Sequence, residues 1–246
     1  MSRRSKRRTI AIRQSKRDSE LLVRVYGHPR AGNNLLCAFL ALNFYPGQNF
    51  VTFGRIGHWR NRLRNQRNEY GKLAGTHLFY HDRKNKIAHP CVYVYRDGRA
   101  VALSLWRTKK FQAPEWADLT FSEFLRKPLD WSGSPGNPKG FGQPIAAHWH
   151  SHLQSWENAP EVVDGKPAVL RVRFENLILQ PDEVYHRIAA WSGLNPVHGL
   201  KLVTEKVGWF PHEGSIDGWK EHFTDDDLGY FYKLAPKPFW GYYDLG

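Results

Sequence analysis

One stretch restricts the folds open to this chain more than any other: Leu22-Val23-Arg24-Val25-Tyr26-Gly27-His28-Pro29-Arg30-Ala31-Gly32-Asn33-Asn34-Leu35-Leu36. An apolar, strand-like run ends at Gly27, a second glycine follows at Gly32, and an apolar helix-like run starts directly after it. Strand, glycine loop and helix in that order aim several backbone N–H groups and a helix N-terminus at one point, which suits an anion. Asn33-Asn34 stand where a nucleotide triphosphatase carries Lys-Ser/Thr. The lysine that reaches the outer phosphates and the hydroxyl that holds Mg²⁺ are therefore missing from the motif. The loop reads as one for a phosphorylated ligand without the usual metal, and the same glycine spacing also fits a plain strand-turn-helix.

Further along, apolar β-branched and aromatic runs alternate with helical patterns. Residues 21–27 read as a first strand and 33–43 as its crossover helix. Residues 57–72, rich in Arg and Asn, read as a polar surface helix, and Thr76 to Tyr80 as a short strand. Pro90 to Tyr95 is a second strong strand, turned by Arg96-Asp97-Gly98 into a helix over about 98–108. Thr120-Phe121-Ser122-Glu123 has the spacing of a capping box. Trp131 to Gly142, rich in Gly and Pro, reads as a loop with the composition of a lid. A helix over 144–157, a strand at 168–174, a helix from Pro181 to Gly193, a loop over 208–218 and a last helix over 225–234 complete the series. Strands alternating with helices predict an α/β fold of three layers, a mainly parallel sheet with helices on both faces and a P-loop-like phosphate-binding loop after the first strand.

Length and composition narrow the class. The 246 residues, 41% hydrophobic with ten tryptophans, suffice for one large core. Cys37 and Cys91 both sit in apolar runs, which points to a reducing, cytoplasmic setting and no disulfide framework. No apolar run is long enough to cross a bilayer, and no apolar segment follows the charged N-terminus as in a secretory signal. Net charge is +13, and eight positive charges, from Arg3 to Arg17, precede the first acid, Asp18. Residues 1–18 therefore read as a basic, flexible arm and 19–246 as a single domain. The arm could touch an anionic surface, although such runs are more often solvated tails.

In a sheet of this kind ligands gather at the carboxyl ends of the strands. Three motifs fall there: the loop from His28 to Asn34; Tyr95 to Ser104, in which Arg96 leaves a strand and Ser104 follows two helical turns later; and Arg173-Phe174-Glu175-Asn176-Leu177. An arginine at a strand end and a hydroxyl on the adjoining helix can hold one phosphate between them.

Taken together, these motifs resemble those of the sulfotransferases that use 3′-phosphoadenosine 5′-phosphosulfate (PAPS). His28-Pro29-Arg30-Ala31-Gly32-Asn33-Asn34-Leu35 resembles that family's phosphosulfate loop, usually written Y-P-K-S-G-T-x-W. Val94 to Ser104 resembles its 3′-phosphate motif, with arginine and serine at the same separation. Leu170 to Leu177 followed by Pro181 resembles the strand ending in aromatic-Glu-Asp-Leu, and Trp149 to Trp156 falls at the family's aromatic helix. Gly214-Ser215-Ile216-Asp217-Gly218-Trp219-Lys220 with Phe223-Thr224 resembles its late G-x-x-G-D-W-K-x-x-F-T element. Thr76-His77-Leu78 stands where the family has its catalytic histidine.

The resemblance implies transfer of a sulfuryl group from PAPS to a hydroxyl or amine acceptor by in-line displacement, with no metal and with 3′-phosphoadenosine 5′-phosphate (PAP) as the product. It implies His77 as general base, near neutrality in its ordinary pKa. Arg30 would stabilise the leaving phosphate, helped by the loop of Ala31, Gly32, Asn33, Asn34 and Leu35. Arg96 and Ser104 would hold the 3′-phosphate, with Gly214 contributing a backbone N–H and Glu175 organising the site. The acceptor would be a small molecule, saccharide or peptide; nucleic acid is not the expected partner. Several positions depart from the family pattern. Arg30 replaces the loop lysine, Gly75 a lysine often found before the Thr-His pair, and His212-Glu213 an Arg-Lys pair. Asp217-Gly218 reverses the usual order. These describe a divergent, bacterial-type member. Two other classes stay open on the residues alone: a kinase-like nucleotide binder using the glycine loop, and a polyanion or nucleic-acid binder acting through the basic arm.

Overall fold

The computed structural model describes residues 23–45, 77–80, 91–108, 116–129, 142–157, 159–163, 165–196, 198–204 and 215–236. Among the described residues three parallel strands form the central sheet: β1 (Arg24–Gly27), β2 (Cys91–Tyr95) and, following the short antiparallel hairpin of β3 (Val162–Val163) and β4 (Lys166–Pro167), β5 (Val169–Arg173). Their order is β1-β2-β5, with Gly27 opposite Val94 and Tyr95 opposite Arg173, so the carboxyl ends of all three strands lie along one edge.

The helices among the described residues are α1 (Asn33–Phe44), α2 (Gly98–Arg107), α3 (Phe121–Arg126), α4 (Ile145–Glu157), α5 (Phe174–Leu179), α6 (Pro181–Ser192) and α7 (Asp225–Leu234). Side-chain alternation sorts them onto two faces. Cys91 and Tyr93 point to one core, shared with α2, α3, α4 and α7. Val92 and Val94 point to the other, shared with α1 and α6. A strand buried on both faces reads as a continuous apolar run, as Cys91-Val92-Tyr93-Val94 does. The architecture is the expected three-layer α/β sandwich.

Local signals explain the element ends. Thr120 and Thr224 each close a capping box, with Glu123 and Asp227 as the reciprocal acids. Pro181 opens α6, and Gly193 ends it in the left-handed region at φ 68°. Helix α1 carries apolar residues around most of its circumference because the sheet and α6 enclose it.

Three expectations need correction. Residues 77–79 form no strand, and backbone groups of this segment bond to side chains of α4. The carbonyls of His77 and Leu78 accept from His152 Nε2 (3.2 Å) and Trp156 Nε1 (3.0 Å), and the Tyr80 N–H donates to Ser155 Oγ (3.2 Å). The strand expected to run to Phe174 stops at Arg173, and Phe174 opens α5, so the Arg173-Phe174-Glu175 motif is a strand-to-helix corner. The loop expected through Gly218 gives way there to a 3₁₀ turn over Gly218–Glu221. The arm at 1–18, the polar helix at 57–72, the lid at 131–142 apart from Gly142, and Gly214 lie outside the described residues. Among the described residues no helix is long and apolar enough to cross a membrane.

Candidate active site

The first strand ends on a glycine because there is no room for more. A Cβ on Gly27 would lie 2.3 Å from Asn33 Oδ1 and 2.6 Å from the Val94 carbonyl oxygen. The chain then turns, with Ala31 N–H donating to the His28 carbonyl at 3.0 Å, and enters α1. The bond from Leu36 N–H to the Gly32 carbonyl is the first of the helical ladder. The N–H groups of Asn33, Asn34 and Leu35 thus fall in the opening turn, whose donors a helix does not satisfy from within. No acid occupies that turn, so its positive end is not neutralised by its own side chains.

Gly32 adopts φ 104°, and a Cβ there would meet Phe174 Cδ2 at 2.3 Å. Strain and clash act together at this position. Gly32→Ala is expected to lower stability by roughly 1–3 kcal/mol. An unchanged denaturation midpoint would show that the loop relaxes freely.

Arg30, Arg96 and Ser104 come together at the mouth of this loop. Arg30 takes a left-handed backbone conformation at φ 69°, and its Nε donates to Ser104 Oγ at 2.9 Å. Arg96 donates from Nη1 to the Arg30 carbonyl (3.3 Å) and from Nη2 to the Ser215 carbonyl (2.9 Å), with its guanidinium 4.3 Å from the Phe174 ring centroid. Ser104, which the sequence reading set beside Arg96 as a partner for one phosphate, is here hydrogen-bonded to Arg30. Burial, with Arg96 alongside, pulls the Arg30 pKa down to about 10. Burial also lowers Arg96, against opposing pulls from Glu175 and Asp97. Both remain cations at neutral pH. Their depressed values mark desolvated positive charge that a bound anion would relieve.

The strand-to-helix corner supplies the support. Glu175, fully buried, accepts the Asp97 N–H on Oε1 (3.1 Å) and Arg173 Nε on Oε2 (3.2 Å), which ties the end of β5 to the end of β2. Burial pushes its carboxyl pKa up. Asp97 caps α2 by accepting the Arg99 N–H at 2.8 Å, and Trp149 Nε1 donates to the Arg96 carbonyl at 3.2 Å.

His77, half-buried, reaches the loop from its other side. Its Nδ1 lies 2.7 Å from the Gly27 carbonyl and 3.4 Å from Asn33 Nδ2. A carbonyl only accepts, so Nδ1 bears the hydrogen and Nε2 of the neutral ring keeps its lone pair. Behind it lies a feature that the motifs did not indicate, a cluster of three buried histidines. His28 Nε2 is 2.8 Å from His148 Nδ1, and His28 Nδ1 is 2.8 Å from the Pro29 carbonyl. His152 contacts the Tyr93 hydroxyl through Nδ1 at 3.0 Å. Burial drives all three pKa values down, His148 to about 3, and the neighbouring imidazoles reinforce the shift. Two of the three are spaced i, i+4 on α4, the only trace of the cluster in the sequence.

The structure therefore brings Arg30, Arg96, Ser104, His77 and the loop from Ala31 to Leu35 to one edge of the sheet. The Asn33 side chain beside His77 and the Ser215 carbonyl on Arg96 are neighbours that sequence reasoning missed. Gly75, Thr76, His81 and His89 lie outside the described residues.

Comparison with known proteins agrees with this fold. Among curated protein sequences none matches this one. The chain is similar in structure to mouse sulfotransferase SULT7A1 complexed with PAP, with a TM-score of 0.57 at 16% sequence identity, over 87% of this chain and 83% of that one. The sulfotransferase domain model matches residues 57–207, a span that contains His77, Arg96, Ser104 and Glu175 and begins after the glycine loop. That span is well over half of the sequence, and the chain belongs to the sulfotransferase domain family.

Proposed function

We propose that this sulfotransferase holds PAPS between the glycine loop and the Arg30/Arg96/Ser104 group and transfers its sulfuryl group to a hydroxyl or amine acceptor, with His77 as general base. The reaction is carried by a single domain over residues 19–246, behind a basic arm. The observation that carries this reading is the meeting of the half-buried Arg30 and the buried Arg96 with a hydroxyl beside the N-terminus of α1, on the strand edge where phosphates are held in such sheets. The glycine at position 32 suits the same ligand, since its backbone leaves room for close approach.

His77 Nε2 takes the acceptor's proton as the acceptor oxygen or nitrogen bonds sulfur. The bond from sulfur to the 5′-phosphate oxygen breaks, and its electron pair stays on that oxygen as PAP leaves. Such a transfer needs alignment and charge neutralisation more than covalent catalysis. Arg30 and the opening N–H groups of α1 neutralise charge at the leaving phosphate, and Arg96 with Ser104 holds the 3′-phosphate. Because Ser104 is bonded to Arg30, the two phosphate subsites share a residue contact and are coupled.

Calorimetry tests the assignment. PAP is expected to bind without Mg²⁺ and far more tightly than AMP, since charge-assisted hydrogen bonds contribute about 1.5–3 kcal/mol each. Arg96→Ala is expected to remove most of that preference while AMP affinity changes little. Equal affinity for PAP and AMP in the parent protein would remove Arg96 and Ser104 from the 3′-phosphate.

A further inference from the structure

We propose that His152 and Tyr93 are positioning residues for His77: they hold its main chain through a hydrogen-bond relay that fixes the direction of every proton in it. The inference rests on the reading of His77 as the base.

The proton directions follow from donor and acceptor chemistry. His152 is fully buried and Tyr93 is 2% exposed. His152 Nε2 faces the His77 carbonyl at 3.2 Å, so Nε2 carries the hydrogen. A neutral imidazole has only one N–H, which leaves Nδ1 bare and makes the Tyr93 hydroxyl, 3.0 Å away, the donor. Burial keeps both groups in the forms this requires, lowering the His152 pKa and raising that of the Tyr93 phenol. The relay therefore runs one way, from Tyr93 O–H to His152, from His152 N–H to the His77 carbonyl, and from His77 Nδ1–H to the Gly27 carbonyl.

The mechanical support is equally specific. His152 and Trp156, one turn apart on α4, donate to the successive carbonyls of His77 and Leu78. Tyr93 is stacked on Trp156 with ring centroids 4.8 Å apart and planes at 8°, so the donor hydroxyl cannot swing away. Phe79 packs on His152 at 4.8 Å from the other side. A segment lacking strand pairing is thus gripped by one helix face, and the ring it carries is pinned at its far end by β1. The titratable groups facing His152 are His28, His148 and His77 and, from β2, Tyr93. A proton on His152 Nδ1 would turn its acceptor into a second donor against the Tyr93 hydroxyl.

Two substitutions at His152 separate the donor from the bulk. The amide of glutamine reaches the place of Nε2, whereas that of asparagine reaches only the place of Nδ1. His152→Asn is expected to lower kcat by roughly 10²-fold, the usual cost of about 1 Å of misplacement, with PAP affinity changed less than about twofold. His152→Gln is expected to recover most of the loss, because it still donates to His77. Tyr93→Phe, which keeps the stack on Trp156, is expected to lower kcat by roughly tenfold and to raise the pH of the acid limb of its profile, since His152 loses the donor that favours its neutral form. Turnover is read with radiolabelled PAPS and the acceptor the parent uses best among phenol, ethanol, a primary alkylamine and glucose. PAP affinity is read by calorimetry.

Equal losses in the two His152 variants, losses that track PAP affinity, or an unchanged Tyr93→Phe would overturn the relay. Should both His152 variants fail to fold, Tyr93→Phe decides alone. His77→Ala measured beside them keeps the two ideas apart. If it abolishes turnover while the relay variants do not respond as stated, the base stands and the relay falls. If it keeps normal turnover, the base reading falls and the relay with it.

Discussion

Replacing His77 by alanine is expected to cut turnover by roughly 10²–10⁴-fold, the usual contribution of a positioned general base, while PAP binds about as before. The size of the effect follows from how few other groups could take over. Among the described residues, the histidines packed behind the loop are His28, His148 and His152, and each is almost wholly buried. Both ring nitrogens of His28 and of His152 are spent on neighbours, and the depressed pKa values of all three make them poor proton acceptors. His77 differs in being partly open, and its Nδ1–H, held by the Gly27 carbonyl, leaves the lone pair of the neutral ring on Nε2. Arg30 and Arg96 are untouched by the change, so phosphate binding should survive it. Steady-state kinetics with PAPS and acceptor varied separately, set beside a PAP titration, gives the answer. Near-normal turnover in His77→Ala would direct the search to His81.

Acid is expected to unfold the protein over a narrow range. Three imidazoles are held below their ordinary pKa near 6.5, with His148 down to about 3. Unfolding lets each take up a proton that the folded state refuses. The stability they contribute is complete above pH 6.5 and is lost as the pH falls from there toward the folded values. Each such group contributes a slope of about 1.4 kcal/mol per pH unit once the unfolded form is protonated, so three give about 4 kcal/mol per unit. Glu175 works the other way, since its raised pKa favours the folded state in acid, but it is one carboxyl against three imidazoles. With a total stability of about 5–15 kcal/mol typical of such domains, the fold should fail within a few pH units below neutrality. Urea denaturation at half-unit steps from pH 7.5 to 5 reads the slope directly. A free energy of unfolding flat across that range would mean that the cluster is solvated or that its protons are already bound.

The parts of this fold that could be read from the sequence are those governed by neighbours along the chain. The strands at Arg24–Gly27 and Cys91–Tyr95 announced themselves through β-branched and aromatic runs, and α3 and α6 through a capping box and through Pro181 with Gly193. The readings that failed depended on partners far away. Residues 77–80 carry aromatic and β-favouring side chains, yet their backbone is satisfied by α4, some 75 positions later. Phe174 continues an apolar run that reads as strand, but packing against Gly32 and Arg96 accompanies a turn into α5. The histidine cluster joins His28 to His148 across 120 residues, and no spacing rule spans that gap. The site shows the same division. Arg30, Arg96 and Ser104 were singled out through motifs at strand ends and His77 through the family resemblance, whereas the bond from Arg30 to Ser104 and the supports behind His77 needed the packed structure.

The backbone of Arg30 has a consequence for how this sequence can change. A side chain in the left-handed region costs about 1 kcal/mol relative to glycine, and Arg30 bears that cost at φ 69°. Thermal robustness and ligand capture therefore favour different residues at one position. On the role proposed for Arg30, variants enriched for heat tolerance alone would drift there toward glycine, becoming sturdier as they lose the charge that would draw an anion in, and the arginine would persist only while catalysis itself is under selection.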